Sequence, residues 1–436
     1  MRLAALREPI EHSRMHLGVS AHHTDPADGG ITQYTMSVFR ALAARPSDFA
    51  ADRLTLFGSP SACDAAQSLH ARFDQYDGMP PHSSGAVIGR RLLGTGAVRR
   101  MAVAVRGRLS ARRRHDPTAT AGRNAAGDWL RARGVDIAYA PADNHQLLVE
   151  SGLPAVITVH DIEHIRQPHL PEHQDGYFER VEYLLRNAAR CAALVVANSE
   201  TGKADLLEWY TEYGLTPDRV AIVPYTVPPH IRVDRRTEEA ARVRHELKLP
   251  ERYVFYPAQF QPRKNHVRLV EALGIIKMRA GLRVPLVLSG AQNWPLAAQT
   301  WRTLMTTATR MGIADQIHYV GVVQNQDMTG LYAAASALVM PSYTGPMNIP
   351  LIEAWALGCP VITSDIRGIR EMCGDAALLV PPSSADDIAD AILSIWNDDA
   401  FAAEMATRGL ARATVFSPER FANALWSALR RAKATL

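Results

Sequence analysis

Short apolar runs alternate with helix-like stretches along most of this chain, and that alternation limits the folds open to it. The apolar runs are residues 15–21, 54–57, 135–140, 155–159, 194–197, 220–223, 253–256, 284–289, 316–321, 337–340 and 360–363. Strands separated by helices pair in parallel, because each helix carries the chain back to the edge where the next strand starts. We therefore predict an α/β protein with parallel sheets, whose ligands gather at the carboxyl ends of the strands.

The length of the chain predicts more than one domain. Its 436 residues exceed what one hydrophobic core normally supports, and its 47% hydrophobic and 21% charged residues are typical of a globular protein. A proline-rich stretch followed by a charged helical pattern spans residues 228–250 and reads as a linker. We predict domains at residues 1–230 and 231–415.

Cysteine use and hydropathy predict the compartment. The four cysteines are isolated, which argues against a zinc cluster and indicates reducing surroundings: Cys63, Cys191, Cys359 and Cys373. No run approaches the roughly 18 apolar residues of a membrane-spanning helix, and the N-terminus lacks the apolar core of a signal peptide. We therefore expect a cytoplasmic protein.

The clearest functional signal is a predicted strand–loop–helix unit in the last third of the chain. Residues 337–340 predict a buried strand, and turn-forming residues fill positions 342–348. Pro350 falls in the first turn of the following helix, which Gly358 and Pro360 end. The first N–H groups of such a helix have no partner within it and its dipole favours negative charge, so the unit predicts an anion site.

Glu353 lies one turn into that helix. Beside a bound phosphate its carboxylate could accept hydrogen bonds from ribose hydroxyls. The alternative is that Glu353 only complements the helix dipole and contacts no ligand.

Two other groups of residues follow predicted strands. Gly29 and Gly30 come after the first strand and would let a phosphate or sugar approach the backbone closely, with a plain tight turn as the alternative. His160 and Asp161 directly follow the strand at residues 155–159, where ligands of parallel sheets bind. A structural histidine is the alternative for His160.

The stretch from Gly345 to Glu353, Gly-Pro-Met-Asn-Ile-Pro-Leu-Ile-Glu, resembles the signature of family 4 retaining glycosyltransferases. That signature has two glutamates separated by seven residues. Glu353 matches the second, and Gly345 stands at the position of the first, as in a subgroup whose loop runs Gly-Pro-x-Asn-Ile-Pro. The group that contacts the donor sugar is then open between Asn348 and backbone amides.

The resemblance implies the GT-B fold, in which two Rossmann-like domains with parallel sheets face a central cleft and a last helix, here 416–436, returns to the first domain. Lys264 matches the family's diphosphate-binding lysine, whereas Gln259 stands where the family usually has an arginine. Arg263 either compensates for that arginine or forms a solvated surface pair with Lys264. The catalytic residues implied are His160, Asp161 and Lys264. The donor-binding residues implied are Gly29, Gly30, Gln259, Arg263, Lys264, Gly290, Val322, Val323, Asn348, Ile349, Pro350, Leu351 and Glu353.

The implied reaction moves a hexose, with retention, from a nucleotide-diphosphate sugar to a glycan or lipid-linked acceptor in cell-surface polysaccharide synthesis. The donor would be GDP-mannose or a UDP-sugar. No Asp-x-Asp follows a predicted strand, so we expect no divalent metal ion in the active site. We also expect no other cofactor. Two alternatives stay open, a non-catalytic nucleotide-sugar-binding partner subunit and a GT-B-fold sugar epimerase.

An arginine-rich insertion at residues 80–134 has no counterpart in the resemblance. Between Arg90 and Arg133 twelve arginines face only two aspartates, a net charge of +10 in a chain of net charge +4. Arginines interleaved with apolar residues suit an anionic membrane surface, which would place the protein at the inner membrane face. We expect no nucleic-acid partner, because no aromatic residue interleaves the arginines before Trp129. A solvated insertion is the alternative.

Overall fold

The computed structural model describes residues 14–21, 29–50, 52–58, 75–77, 123–142 and 145–435, which fold into two parallel sheets with helices on their faces. The first sheet contains β1 (His16–Ala21), β2 (Arg53–Gly58), β3 (Gln75–Asp77), β4 (Ile137–Ala140), β5 (Ala155–Thr158), β6 (Leu194–Ala197) and β7 (Val220–Ile222). The second contains β8 (Val254–Pro257), β9 (Leu286–Ser289), β10 (Ile317–Tyr319), β11 (Ala337–Met340), β12 (Val361–Ser364) and β13 (Leu378–Val380). The predicted α/β class with two parallel sheets is confirmed.

Both sheets have the same winding. The strand order is β3-β2-β1-β4-β5-β6-β7 in the first and β10-β9-β8-β11-β12-β13 in the second, and the neighbouring strands pair in parallel. In each sheet the order reverses beside the opening strand, β1 or β8. The loops on either side of such a reversal run in opposite directions at the carboxyl edge of the sheet and leave a crevice between them. Ligands of doubly wound folds bind in this crevice.

Helices connect most of these strands. Those of the first half are α1 (Gly30–Ala43), α2 (Ala125–Arg131), α3 (His145–Val149), α4 (Glu163–Arg166), α5 (Tyr177–Cys191) and α6 (Glu200–Tyr210). Those of the second half are α7 (Arg236–Glu246), α8 (His266–Ala280), α9 (Pro295–Arg310), α10 (Asn325–Ala334), α11 (Ile349–Ala356), α12 (Ile369–Cys373), α13 (Ala385–Asn397) and α14 (Asp399–Ala413), and α15 (Pro418–Lys433) follows. None of these described helices has the length and hydropathy needed to cross a membrane.

The strands are apolar along their whole length because both of their faces are covered. In β4, Ile137 and Tyr139 belong to one hydrophobic cluster, whereas Ala138 and Ala140 belong to the cluster on the opposite face. Sheets covered on both sides bury every residue of a strand, so continuous apolar runs rather than alternating ones result.

The last helix, α15, packs on the first half of the chain. The indole N–H of Trp426 donates to the carbonyl of Ala41 at 3.1 Å, and the ammonium of Lys433 lies 3.0 Å from a carboxylate oxygen of Asp52. Just before α15, the carbonyl of Phe416 accepts the hydroxyl of Thr226 at 3.0 Å. These contacts fasten the end of the chain to α1 and to the segment that follows β7.

Some elements differ from the sequence expectation. Strands β3 and β13 are three residues each, too short to give a periodic signal. Helix α7, although its sequence is mostly charged, buries Val243 against α10, and a Cβ on Gly330 would lie 2.4 Å from the carbonyl oxygen of Glu239. Of the arginine-rich insertion, residues 80–122 lie outside the described residues, and its end forms α2.

Candidate active site

A cavity of about 630 Å³ is lined by residues from both halves, at the carboxyl ends of their strands. All of the residues predicted for the site line this cavity except Leu351. The side chain of Leu351 is fully buried in the core, and its N–H donates to the carbonyl of Asn348 at 3.1 Å. Leu351 therefore does not line the cavity, and the first turn of α11 already uses its N–H group.

The loop after β8 presents two cations to the cavity, Arg263 and Lys264. The hydroxyl of Tyr256 donates to the carbonyl of Lys264 at 2.8 Å. Asn265, whose φ is 59°, ends the loop, and its amide donates to the carbonyls of Pro341 at 2.8 Å and Pro382 at 2.7 Å. The loop is thus held in place from two other segments of the second half.

The ammonium of Lys264 is poorly solvated in this position. Burial, together with the neighbouring charge of Arg263, lowers its pKa to about 7, whereas Asp161 and Glu172 act in the opposite direction. A cation held without a close counter-ion in a desolvated cavity is stabilised by any anion that enters. Lys264 and Arg263 therefore line the cavity rather than forming a solvated surface pair.

Helix α11 begins at the same cavity. Pro350 occupies its first turn, and the N–H of Ile349 has no acceptor among the described residues. Gly345 has φ of 113°, and a Cβ there would lie 2.9 Å from the side-chain oxygen of Asn348. The side-chain amide of Asn348 in turn donates to the carbonyl of Gly345 at 2.9 Å. This backbone geometry admits glycine and leaves no room for a glutamate at 345 without movement of the loop.

Glu353 is buried, with 4% exposure, and both of its carboxylate oxygens have partners. One accepts the hydroxyl of Tyr332 at 2.6 Å, and the other lies 3.2 Å from Nε2 of His230. Burial, followed by the pairing with Glu353, raises the pKa of Tyr332 well above its usual value, so Tyr332 stays a donor. Because an ionised carboxylate has about four acceptor positions, Glu353 keeps capacity for hydroxyls of a ligand.

On the first half, His160 is held by hydrogen bonds at both ring nitrogens. Its Nε2 donates to the carbonyl of Pro141 at 3.1 Å, and its Nδ1 lies 3.0 Å from the hydroxyl of Tyr225 and 3.2 Å from the amide oxygen of Asn198. The ring edge packs on Tyr34, with centroids 4.9 Å apart. The ring of His160 is therefore fixed in the cavity wall.

The glycines after β1 lie opposite the start of α11. Gly29 has φ of 70° and precedes α1, and a Cβ on Gly30 would lie 3.8 Å from the Cδ1 atom of Ile349. The amide of Gln33 donates to the side-chain oxygen of Asn325 at 3.1 Å, which joins the two halves beside the glycines. The two glycines therefore add no side chain of their own to this side of the cavity.

Comparison with known proteins identifies the family. Residues 237–412 match the family described as "Glycosyl transferases group 1". Over 267 residues the chain is 30% identical to the O-antigen chain mannosyltransferase B of Escherichia coli, which covers 61% of this chain and 67% of that protein. The chain belongs to the group 1 glycosyl transferases.

Other relatives share parts of this group 1 glycosyl transferase. The serotype-specific mannosyltransferase WbdA of Escherichia coli is 24% identical over 228 residues, 52% of this chain and 27% of the relative, so the chain spans about a quarter of that protein. Among solved structures, sucrose-phosphate synthase from Thermosynechococcus elongatus superposes with a TM-score of 0.68 at 21% identity, covering 97% of this chain and all of that one. Anabaena Alr3699/HepE in complex with UDP-glucose superposes with a TM-score of 0.67 at 17% identity, covering 96% and 100%. These structures show that the two sheets form the GT-B fold.

Gly290, Val322 and Val323 line the cavity of this group 1 glycosyl transferase beside β9 and β10. A Cβ on Gly290 would lie 2.0 Å from the carbonyl oxygen of Ala258, so only glycine fits there. Val322 is 47% exposed although it is apolar. An exposed apolar side chain on a cavity wall suits a flat apolar ligand surface.

Two carboxyl groups of this transferase were not foreseen from sequence. Glu163 lines the cavity, and burial, followed by the charge of Asp161, raises its pKa to about 7. Glu172 accepts the N–H of Arg263 at 2.9 Å and so joins the two halves. The position of Glu163, two residues after Asp161, could have indicated that it lies at the site. Nothing in the sequence near Glu172 indicates its contact with Arg263.

His230 was also not foreseen, because the residue that it contacts, Glu353, is far away in sequence. As for metals, the residues described here include no group of three or more His, Cys, Asp or Glu side chains placed to hold an ion. Metal independence stays a prediction.

Proposed function

We propose that this protein is a retaining glycosyltransferase that moves a hexose from a nucleotide-diphosphate sugar to a glycan or lipid-linked acceptor in cell-surface polysaccharide synthesis. GDP-mannose is the preferred donor, ahead of a UDP-sugar. The two Escherichia coli relatives described above, both mannosyltransferases, support this preference. The Gly-Pro-x-Asn-Ile-Pro loop supports placement in the corresponding subgroup.

The observation that carries the proposal is a single cavity that is lined both by cationic side chains and by a carboxylate that could bind ribose hydroxyls. Arg263, Lys264 and Ile349, whose N–H has no acceptor among the described residues, line the same cavity as Glu353. A diphosphate would lie on the first three, and its ribose would reach Glu353. The nucleobase would then lie along Val322 and Val323, and the sugar would point toward His160 and Asp161 on the first half.

The chemistry follows from where charge develops. When the bond between the anomeric carbon and the β-phosphate oxygen breaks, negative charge grows on the leaving nucleoside diphosphate, and Lys264 in its protonated form stabilises it. The acceptor oxygen forms the new bond on the same face of the sugar, and its proton passes to the leaving phosphate. Retention then needs no enzyme nucleophile, and His160 and Asp161 hold the sugar in place.

The test is a transfer assay with purified protein. GDP-mannose and UDP-glucose are each supplied with a mannosyl glycan or a lipid-linked acceptor, and nucleoside diphosphate and product are both measured. We expect the wild-type protein to form product with GDP-mannose, and to do so equally when EDTA is present. The Lys264→Met variant should turn over far more slowly than the wild type. Nucleoside diphosphate binding without product in any combination would instead favour a partner subunit, and conversion of the donor without transfer would favour an epimerase.

We also propose that Arg90–Arg133 attracts the protein to an anionic membrane surface at the cytoplasmic face. The support is the net charge of +10 in that segment together with its interleaved apolar residues. Each arginine near such a surface contributes roughly 1 kcal/mol, so a few engaged side chains would hold the protein there.

A further inference from the structure

Three side chains after β8 form a chain of hydrogen bonds that ends on Arg263. The side-chain amide of Gln261 donates to the side-chain oxygen of Gln259 at 3.0 Å, and Nε of Arg263 donates to the side-chain oxygen of Gln261 at 2.7 Å. All three residues line the cavity. The direction of this chain is set by chemistry, because arginine can only donate and so requires the oxygen of Gln261 to face it.

The backbone of Arg263 is held as firmly as its side chain. Its N–H donates to a carboxylate oxygen of Glu172 at 2.9 Å, and its carbonyl accepts the N–H of Tyr343 at 2.8 Å. What remains open is the end of the guanidinium, since Nη1 and Nη2 have no hydrogen-bond partner among the described residues, although the charge of Arg263 acts on Glu163. A guanidinium held through Nε keeps its outer edge for ligands, and this edge matches phosphate oxygens in two-point contacts.

Two like charges lie close together in this wall, and Asp161 and Glu172 act to stabilise the ammonium of Lys264. Arg263 is close enough to Lys264 for its charge to lower the pKa of that lysine. Without Gln261 the long arginine side chain could turn toward solvent and relieve this repulsion. The hydrogen bond to Gln261 therefore keeps the charge of Arg263 close to that of Lys264. Such an arrangement is useful where both cations bind the same polyanion.

We propose that Gln261 is a positioning residue for the donor diphosphate: it holds the guanidinium of Arg263 beside Lys264, and Gln259 holds Gln261 in the orientation that this requires. The inference rests on the proposed function and adds Gln261 to it. It gives Gln259 a supporting part rather than direct contact with phosphate.

Isothermal titration calorimetry with GDP and with guanosine tests this inference. Gln261→Met keeps the length of the side chain but removes the acceptor, and it should weaken GDP binding about three- to tenfold while leaving guanosine binding unchanged. The decisive comparison repeats the substitution in Arg263→Met protein, where Gln261→Met should have no further effect. Gln299→Met, on the exposed face of α9, is the matched control and should bind GDP like the wild type.

The outcomes separate this inference from the proposed function. If wild-type protein binds GDP and Gln261→Met binds it equally well, the positioning role is wrong and the proposed function stands. The same holds if the loss persists in Arg263→Met protein, because Gln261 would then act on the fold and not through Arg263. If wild-type protein binds neither GDP nor UDP, the nucleotide site itself is wrong and the inference falls with it.

Discussion

Binding of a nucleoside diphosphate should take up a proton, because Lys264 is only partly protonated in the free protein near neutral pH. Burial, reinforced by Arg263, holds the pKa of Lys264 at about 7. A diphosphate beside the ammonium favours its charged form, so the pKa is higher in the complex. Affinity is therefore greatest below pH 7 and falls as the pH rises from 7 toward the pKa of the complex.

The interval from pH 8 to pH 9 gives the cleanest magnitude. With a free-protein pKa of about 7, and provided that the pKa in the complex lies well above 9, the protonated fraction of Lys264 in the free protein falls from about one in eleven to about one in a hundred, so the Kd rises about ninefold. Glu163, whose pKa burial and Asp161 raise to about 7, has lost most of its proton by pH 8. Its ionisation therefore contributes mainly below this interval.

Calorimetry measures both the affinity and the proton. GDP is titrated at pH 7, 8 and 9 in two buffers of different ionisation enthalpy, and close to one proton should be taken up per GDP at pH 9. Lys264→Arg, which keeps its charge at every pH, should bind with little dependence on pH between 8 and 9, and Lys264→Met should bind weakly at all three values. Glu163→Gln should retain the ninefold change. An equal change in Lys264→Met, or none in the wild type, would refute the reasoning.

Three further predictions test other parts of the site. Glu353→Gln should weaken GDP binding about tenfold, which is the cost of a lost charge-assisted hydrogen bond. It should also abolish the preference of the wild type for GDP over 2′,3′-dideoxy-GDP. Calorimetry with both ligands measures this preference, and a retained preference would place the ribose elsewhere. His160→Ala should abolish transfer while GDP still binds, because the ring belongs to the first half; transfer at the wild-type rate would contradict its role. Wild-type protein should co-sediment with anionic liposomes at low salt and not at high salt. It should stay in the supernatant with neutral liposomes. Protein in which the clustered arginines are neutralised should stay in the supernatant with either kind of liposome. These arginines are Arg99, Arg100, Arg106, Arg108, Arg112, Arg113 and Arg114.

Features that depend on neighbouring residues could be predicted from sequence. The apolar runs predicted the parallel strands, because strands buried on both faces do not alternate apolar with polar residues. Pro350 and Gly358 predicted the two ends of α11 to within two residues. Ser199 is of a residue type that commonly precedes a helix, and its hydroxyl accepts the N–H of Gly202 at the start of α6 at 2.9 Å. Such local signals also placed nearly all of the expected site residues on one cavity, since the carboxyl edges of parallel strands converge.

Features that depend on distant contacts could not be predicted. The two partners of Glu353 come from α10 and from the segment after β7, and neither Tyr332 nor His230 has a neighbouring residue that marks it. The side chain of Leu351 points into the core because α11 is buried on nearly all sides, which its short apolar sequence does not distinguish from a helix exposed to a ligand. Burial and charge around Lys264 likewise arise from both halves together.

The two departures from the family pattern, Gly345 and Gln259, have a common physical explanation. At 345, φ of 113° and the close approach of Asn348 fix the loop in a shape that a glutamate side chain would break. At 259, the glutamine takes part in the hydrogen-bonded chain that holds Arg263 over the cavity. In both places the residue that looks missing is matched by a neighbour three or four positions later whose side chain lines the same space. A chain that had merely lost its donor site would have no reason to keep Asn348 and Arg263 so closely fixed, at the cost of placing two like charges side by side. This arrangement favours a donor site that still binds a nucleotide-sugar.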